Sequence, residues 1–440
     1  MNTTVSNPGR CLVSAASGSR LLLLFSLLAV CSLCYGRVGT TRTVTVSNPT
    51  AQQRQEVVEL KLGELKDSLT ANPMLHAVMR NSLGQAVVTQ LTPYGTLLFE
   101  ASVRPLSTSS YTLELTTASV PVQGGPWAYG GYYPNRADDL TWENDRVAFR
   151  AYGPALQRSG EQAFGYDVWS KSTPQMVVDQ RYQQHMYGEN LRWAYHKIGR
   201  RAESDSIVRA TSFHYDHGQG LDAYGVGPSL GCGGSAVMEG DSLRMSYCWH
   251  SYQIQENGPL RFSVLLKYYD KLLPAATTEN ETRYISLTKG SWFCQCVVYF
   301  ENRTAPVDVA AGVVLHRSDT TQLDMQPNSI LYADPTDRPN QLGQQVYVGV
   351  LFPFDEVKTR VVPAALTAAP HQMKGQLKMP AEVAGNAVGV SRLKDKNALW
   401  YYFGSAWSGG TIRTFEQWKQ LAKDQLNALQ HPLEVKMLER

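Results

Sequence analysis

The chain has 440 residues, room for one large domain or two to three ordinary ones, and its 43% apolar content can fill a real core. A formal charge of +3 with scattered Lys and Arg excludes nucleic acid as the main partner, which would select a basic patch or stripe. The 23 Tyr and 9 Trp suit β structure, where most of them act as strand filler, and also stacking on sugar rings.

Residues 1–19 are polar, Arg20 follows, and Leu21 to Cys34 is an apolar run of fourteen. A membrane-spanning helix needs ~20 apolar residues, so this run has the length of a secretory signal's hydrophobic region, and residues 1–36 are predicted to be a signal peptide. An uncleaved membrane anchor is the alternative. The predicted location is periplasmic or secreted, with lipidation at Cys31 or Cys34 a further option and no stable membrane insertion once the signal is removed. Four cysteines remain, Cys232, Cys248, Cys294 and Cys296; they can oxidise after export but form no disulfide framework, and no CxxC pair offers a structural zinc site.

From Thr43 the sequence reads as strands. The segments 43–48, 56–60, 86–91, 96–102 and 111–117 alternate apolar and polar residues or are short and β-branched. After the centre the pattern resumes at 241–249, 260–270, 292–300, 310–316, 329–334, 345–352 and 397–407. These segments predict an all-β fold, a large antiparallel β-sandwich occupying residues 37–440 as a single catalytic domain. One strong helix closes the chain at about 414–430: Thr414 is an N-cap with Gln417 three residues on, and Phe415, Trp418, Ala422, Leu426 and Leu429 recur at helical spacing before Pro432. Residues 121–140, rich in Gly, Pro and Tyr, read as a long functional loop or a lid.

Two central segments carry candidate chemistry. If Asp145 to Tyr152 is a strand, its period of two places Arg146, Ala148, Arg150 and Tyr152 on one face. Two guanidiniums and a phenol in a row can grip a carboxylate or sulfate, or else form a salt-bridged strand. Segments 165–171 and 181–197 interleave aromatics with Arg, His and Lys and read as sugar-facing loops, with Trp169 and Trp193 as stacking or core residues. Then, in Phe213 to Gly234, His214, Asp216, His217 and Asp222 fall within nine residues, followed by Tyr224 and bent by six glycines. Buried charges cost several kcal/mol unless paired, so this density predicts the floor of an active site.

The runs WENDRVAFRAYGPAL, GYDVWSK and HYDHGQGLDAYGVGPSLGCGG, with WYYFGSAW and the helix carrying Trp418, together resemble a family of exported bacterial polysaccharide-utilisation proteins. That family, long grouped as a domain of unknown function, includes the ulvan oligosaccharide dehydratases. The resemblance spans residues 43–435. It implies a galactose-mutarotase-like supersandwich and an enzyme that removes water from a non-reducing-end uronic acid, leaving a 4,5-unsaturated uronate. Gln219 stands where the family motif has Glu, which removes one acidic group.

Elimination across C4 and C5 of a uronate needs a base at C5, an acid at the departing hydroxyl and stabilisation of the carboxylate. His214 or His217 is the candidate base, Tyr224 the candidate acid with Tyr215 nearby, and Arg150 with Arg146 the carboxylate stabilisers. Asn144, Trp142, Tyr152, Trp169, Asp216 and Asp222 are the candidate binding residues. No cofactor is expected, although His214, Asp216, His217 and Asp222 are acceptable ligand types for a divalent metal. The expected partner is an acidic oligosaccharide. A glycoside hydrolase pairing Glu143 with Asp216 or Asp222, a chain-cleaving lyase on acidic glycans and a non-catalytic glycan binder are the alternatives.

Overall fold

The computed structural model describes residues 40–438, apart from 119, 121–123, 270–278, 302–304, 319, 336–342, 355, 374 and 395–397. The predicted signal peptide, Cys31 and Cys34 lie outside the described residues. Alternating sequences near the amino terminus pair into two small facing sheets. One contains Thr41–Ser47, His76–Arg80, Ala86–Val87, Thr108–Thr116 and the carboxy-terminal strand Glu434–Met437, and the other contains Arg54–Lys61, Thr89–Leu91 and Thr96–Val103. Their inward residues, among them Val44, Val46, Leu60, Leu97, Phe99 and Leu113, form a core separate from the main one. Val44 pairs with Met437 and Ser47 with Glu434, so the last strand is stitched into the first.

The main body is a broad antiparallel sandwich. One layer is an eight-stranded sheet running from Ser251–Asn257 through Arg261–Tyr269, Glu279–Thr288, Phe293–Phe300, Leu399–Trp407, Val346–Leu351 and Ser329–Asp334 to Leu323–Gln326. Facing it are a six-stranded sheet centred on Cys232–Glu239, Val307–Leu315 and Gly385–Leu393, and a four-stranded sheet of Ala128–Tyr133, Asp139–Asn144, Ala148–Ala151 and Tyr166–Trp169. A parallel bridge from Tyr166 to Gly231 joins these two into one layer. The expected all-β sandwich is therefore present, with its strands buried on one or both faces around Trp142, Phe149, Phe262, Ile285, Val313, Val348 and Phe403. Among the described residues Cys232, Cys248, Cys294 and Cys296 carry free thiols.

The closing helix, Phe415–Gln430, has the capping box that its sequence predicts, with Thr414 accepting from Gln417 N–H. Trp418 stacks on Phe293 at 4.9 Å and donates from Nε1 to the Val348 carbonyl, pinning the helix to the eight-stranded sheet.

Three local expectations are corrected. Segment 181–197 is not a loop but most of a twenty-residue helix, Val178–Lys197, which forms a hairpin with Arg201–Thr211. The two helices touch so closely at Gly188 that a Cβ there would lie 1.7 Å from Thr211 Oγ1. Segment 121–140 is a loop only in part, since Ala128–Tyr133 and Asp139–Asn144 are paired strands. Finally, Asp145 to Tyr152 is not one strand: the chain turns at 145–147, between Asp139–Asn144 and Ala148–Ala151.

Candidate active site

The turn at 145–147 separates the two arginines that period two would align. Asn144 accepts the backbone N–H groups of Arg146 and Val147 and donates to the Thr288 and Ser291 carbonyls, so its side chain clamps the turn. Arg146 points away beside Asp145 and over the Trp292 ring. Trp142 is fully buried with Nε1 on Cys294 Sγ, and Trp169 is buried between Tyr182 and Phe213, so neither offers a face to a sugar. Glu143 is consumed as well: it pairs with Lys171 at 2.6 Å and accepts the N–H groups of Val177 and Val178 at the start of the long helix.

Arg150 is buried in a cage of acids. Its Nη2 bonds Asp167, Asp222 at 2.9 Å and the Tyr152 hydroxyl at 3.1 Å, while Nη1 lies 3.6 Å from Asp139. Burial works against the guanidinium's charge, but Tyr152 and the three carboxylates hold its pKa well above the usual value. In turn burial and Asp222 push Asp167 up to about 7, and burial pushes Asp139 up despite Arg150. One cation thus anchors three acids, and Asp222 links that anchor to the surface. Its carboxylate lies 3.7 Å from His214 Nδ1, and its backbone carbonyl accepts the Nδ1–H at 2.9 Å.

This last bond fixes the His214 ring. Because a carbonyl can only accept, Nδ1 carries the hydrogen and the neutral imidazole keeps its lone pair on Nε2. The side chain is 48% exposed and faces a cleft of about 420 Å³ that is also lined by Tyr215, Asp222, Tyr224, His316 and Glu382. Tyr224 presents its ring there; its hydroxyl is buried without a hydrogen-bond partner, and burial, then Cys232, raise its pKa well above the usual phenol.

His316 has no counterpart in the sequence reading. It follows Val307–Leu315 in the six-stranded sheet, and its Nδ1 meets Asp334 Oδ2 at 2.6 Å from the end of Ser329–Asp334 in the opposite sheet. Burial disfavours the imidazolium, but the Asp334 carboxylate, Glu382 and the Gly225 carbonyl outweigh it and hold the His316 pKa above the ordinary value. With Nδ1 on Asp334 the Gly225 carbonyl faces Nε2, and a Cβ at residue 225 would sit 3.3 Å from that nitrogen.

The remaining residues of the histidine-rich segment serve the loop. Asp216 accepts the N–H groups of Gly218 and Gly220, and His217 Nε2–H donates to the Ser212 carbonyl at 3.0 Å, both outside the cleft. The Gln219 side chain bonds Gln180, and its carbonyl takes Arg181. His214, Asp216, His217 and Asp222 therefore do not converge, and among the described residues no group of three or more His, Cys, Asp or Glu is arranged to hold a metal ion. His185 stacks on Phe213 at 3.9 Å, and burial, then Arg136, bring its pKa down to about 4. Among the described residues no helix is long and apolar enough to cross a membrane.

A family model described as Domain of unknown function (DUF4861) matches residues 46–435. The uncharacterized protein P7 of Formosa agariphila is 28% identical over 349 residues, 77% of each chain. Two solved structures from Enterococcus faecalis are distantly similar. One, a protein in glycosyl hydrolase family 38, has 11% identity and a TM-score of 0.45 over 91% of this chain and 48% of its own. The other, an alpha-mannosidase, has 10% identity and a TM-score of 0.39 over 91% of this chain and 46% of its own. The chain spans about half the length of these structures, and likeness at this level does not bear on activity.

Proposed function

Starting from a chain that belongs to the DUF4861 family, we propose that the protein is a carbon–oxygen lyase. It removes water from a non-reducing-end uronic acid of an acidic, ulvan-like oligosaccharide. The observation that carries this reading is the pairing of two imidazoles in one cleft with opposite hydrogen-bond partners. His214 has Nδ1 on a backbone carbonyl, which suits a base. His316 has Nδ1 on a carboxylate, which suits an acid. In the proposed step His214 Nε2 takes the C5 proton, and the C5–H electron pair becomes the C4–C5 double bond. The C4–O bond breaks as His316 Nε2 gives the leaving hydroxyl its proton, and water departs. Each proton transfer by a positioned group contributes ~10² to 10⁴-fold. His316 takes the acid role first given to Tyr224, whose buried hydroxyl supports only a packing role.

A hydrolase needs two available carboxylates about 5 to 9.5 Å apart. The engagement of Glu143 by Lys171 and of Asp216 by loop N–H groups weighs against that alternative. The apolar run at 21–34 supports export to the periplasm or beyond. Incubating the purified protein with uronate-ended oligosaccharides should raise the absorbance of a conjugated C4–C5 double bond without new reducing ends. New reducing ends with the absorbance would indicate a chain-cleaving lyase, new ends alone a hydrolase, and no change a binder.

A further inference from the structure

The helical hairpin of Val178–Lys197 and Arg201–Thr211 takes no part in the chemistry proposed above, beyond Val208 and Ser212 in and next to Arg201–Thr211, which line the cleft. Its other end has a distinct composition. Residues 190–201, at the turn between the helices, carry four cations, Arg192, Lys197, Arg200 and Arg201, and no acid. Glu189 pairs with Arg192 at 2.6 Å and Glu203 with Arg200 at 2.5 Å, so those two are matched from outside the turn. Lys197 and Arg201 are exposed, and among the described residues neither has an acid within ion-pair distance.

Aromatic rings stand among these cations. Trp193 is 50% exposed, with the Arg192 guanidinium carbon 4.6 Å over its ring and His196 edge-on at 5.7 Å. Lys197 follows Trp193 by four residues, which puts both on one helix face. The turn holds this arrangement: Gly199 adopts a φ of 77°, its N–H bonds the His196 carbonyl, and the Arg200 N–H bonds the Tyr195 carbonyl. Cations in the last turn meet the negative end of the helix dipole, a structural reason for their presence. That reason does not extend to a half-exposed indole, and the close packing of the hairpin lies further back, at Gly188 against Thr211.

We propose that the hairpin tip, centred on Trp193, Lys197 and Arg201, is a second binding surface that holds acidic polysaccharide apart from the cleft. A sugar polymer bearing carboxylates or sulfates offers flat faces to the indole and anions to the unmatched cations. A membrane surface fits less well, because an interfacial helix buries an apolar stripe and the long helix has none. From Arg201 to Val208 in the cleft wall the helix rises about 10 Å, so polymer held at the tip is kept close to the cleft. The occupant follows from the charge and rings of the tip and is independent of the reaction proposed for the cleft.

Affinity electrophoresis of the purified protein in native gels containing polygalacturonate, neutral dextran or neither tests this. Wild type should be retarded by polygalacturonate, less so as salt rises, and should run freely in dextran. Trp193→Ala should raise the dissociation constant read from retardation by roughly threefold or more. Lys197→Gln combined with Arg201→Gln should raise it by roughly tenfold or more. All three side chains are exposed, so melting temperature should hold, and either variant carries the test if the other does not fold. Lys61→Gln combined with Arg104→Gln removes the same charge from exposed positions on the amino-terminal sheets and should leave the retardation unchanged. No retardation of wild type, wild-type retardation in either folded tip variant, equal loss in the Lys61 and Arg104 variant, or equal retardation in dextran overturns the assignment. So does pelleting with phosphatidylcholine and phosphatidylglycerol vesicles that the tip substitutions abolish. The readout involves no turnover, so its failure and the failure of the dehydratase reading are separate results.

Discussion

Replacing Asp334 by Asn gives a prediction that reaches from geometry to a pH profile. His316 and Asp334 meet at 2.6 Å, both buried, and the carboxylate is the chief group holding the imidazolium charged against the cost of burial. An opposite charge at such range typically moves a pKa by about 1 to 3 units. Losing it while burial remains should bring the His316 pKa below the ordinary histidine value of about 6.5. With His316 as the proposed acid, activity should fall on the alkaline side as that group deprotonates. In Asp334→Asn the alkaline limb should move down by one or more units, with kcat at pH 8 reduced at least ~10-fold, one pH unit being a factor of ten in the protonated fraction. Stability follows the same sign. A histidine with a raised folded pKa contributes stability fully present below about pH 6.5 and lost as pH rises through the folded value, so wild type should lose an increment over that rise that the variant never had. The assay is initial rate against pH by double-bond absorbance, with melting temperature over the same range. Superimposable rate profiles for wild type and variant would refute the acid role of His316.

Other substitutions separate the site from its scaffold. His214→Ala should lower kcat by ~10² to 10⁴-fold with melting temperature held, whereas His217→Ala should leave kcat within a few fold; equal losses would contradict the assignment of the base. Arg150→Met leaves three carboxylates around an apolar side chain and should destabilise by about 3 to 5 kcal/mol, read by denaturant unfolding, with stability partly restored at low pH as Asp167 and Asp139 protonate. Trp418→Ala removes the ring that pins the closing helix and should cost about 3 to 5 kcal/mol with KM unchanged.

Much of the architecture was legible because short alternating segments and a capped helix are local signals. Of the dense segment from Phe213, His214 and Asp222 line the cleft and connect to Arg150. The error over Arg146 has a local cause: Asn144 folds its own turn by accepting two N–H groups downstream, and that turn chemistry overrode the period-two pattern. The helix at 178–197 was obscured because few of its residues are buried, Val178, Arg181, Tyr182 and Gly188 among them, leaving no apolar stripe to read. Asp334 ends a segment correctly read as a strand and His316 directly follows another, yet nothing local sets them apart. Their meaning arises only when two strand ends from facing sheets meet eighteen residues apart in sequence, a tertiary event without a sequence period.

The cleft is proposed to remove water from a uronate without cutting the chain. The most direct measurement is mass spectrometry of a uronate-ended oligosaccharide after incubation with wild type and with His214→Ala. Wild type should lose one water per chain, about 18 Da, with double-bond absorbance and unchanged chain length, and the variant none. Shortened chains, or equal water loss in the variant, would contradict it.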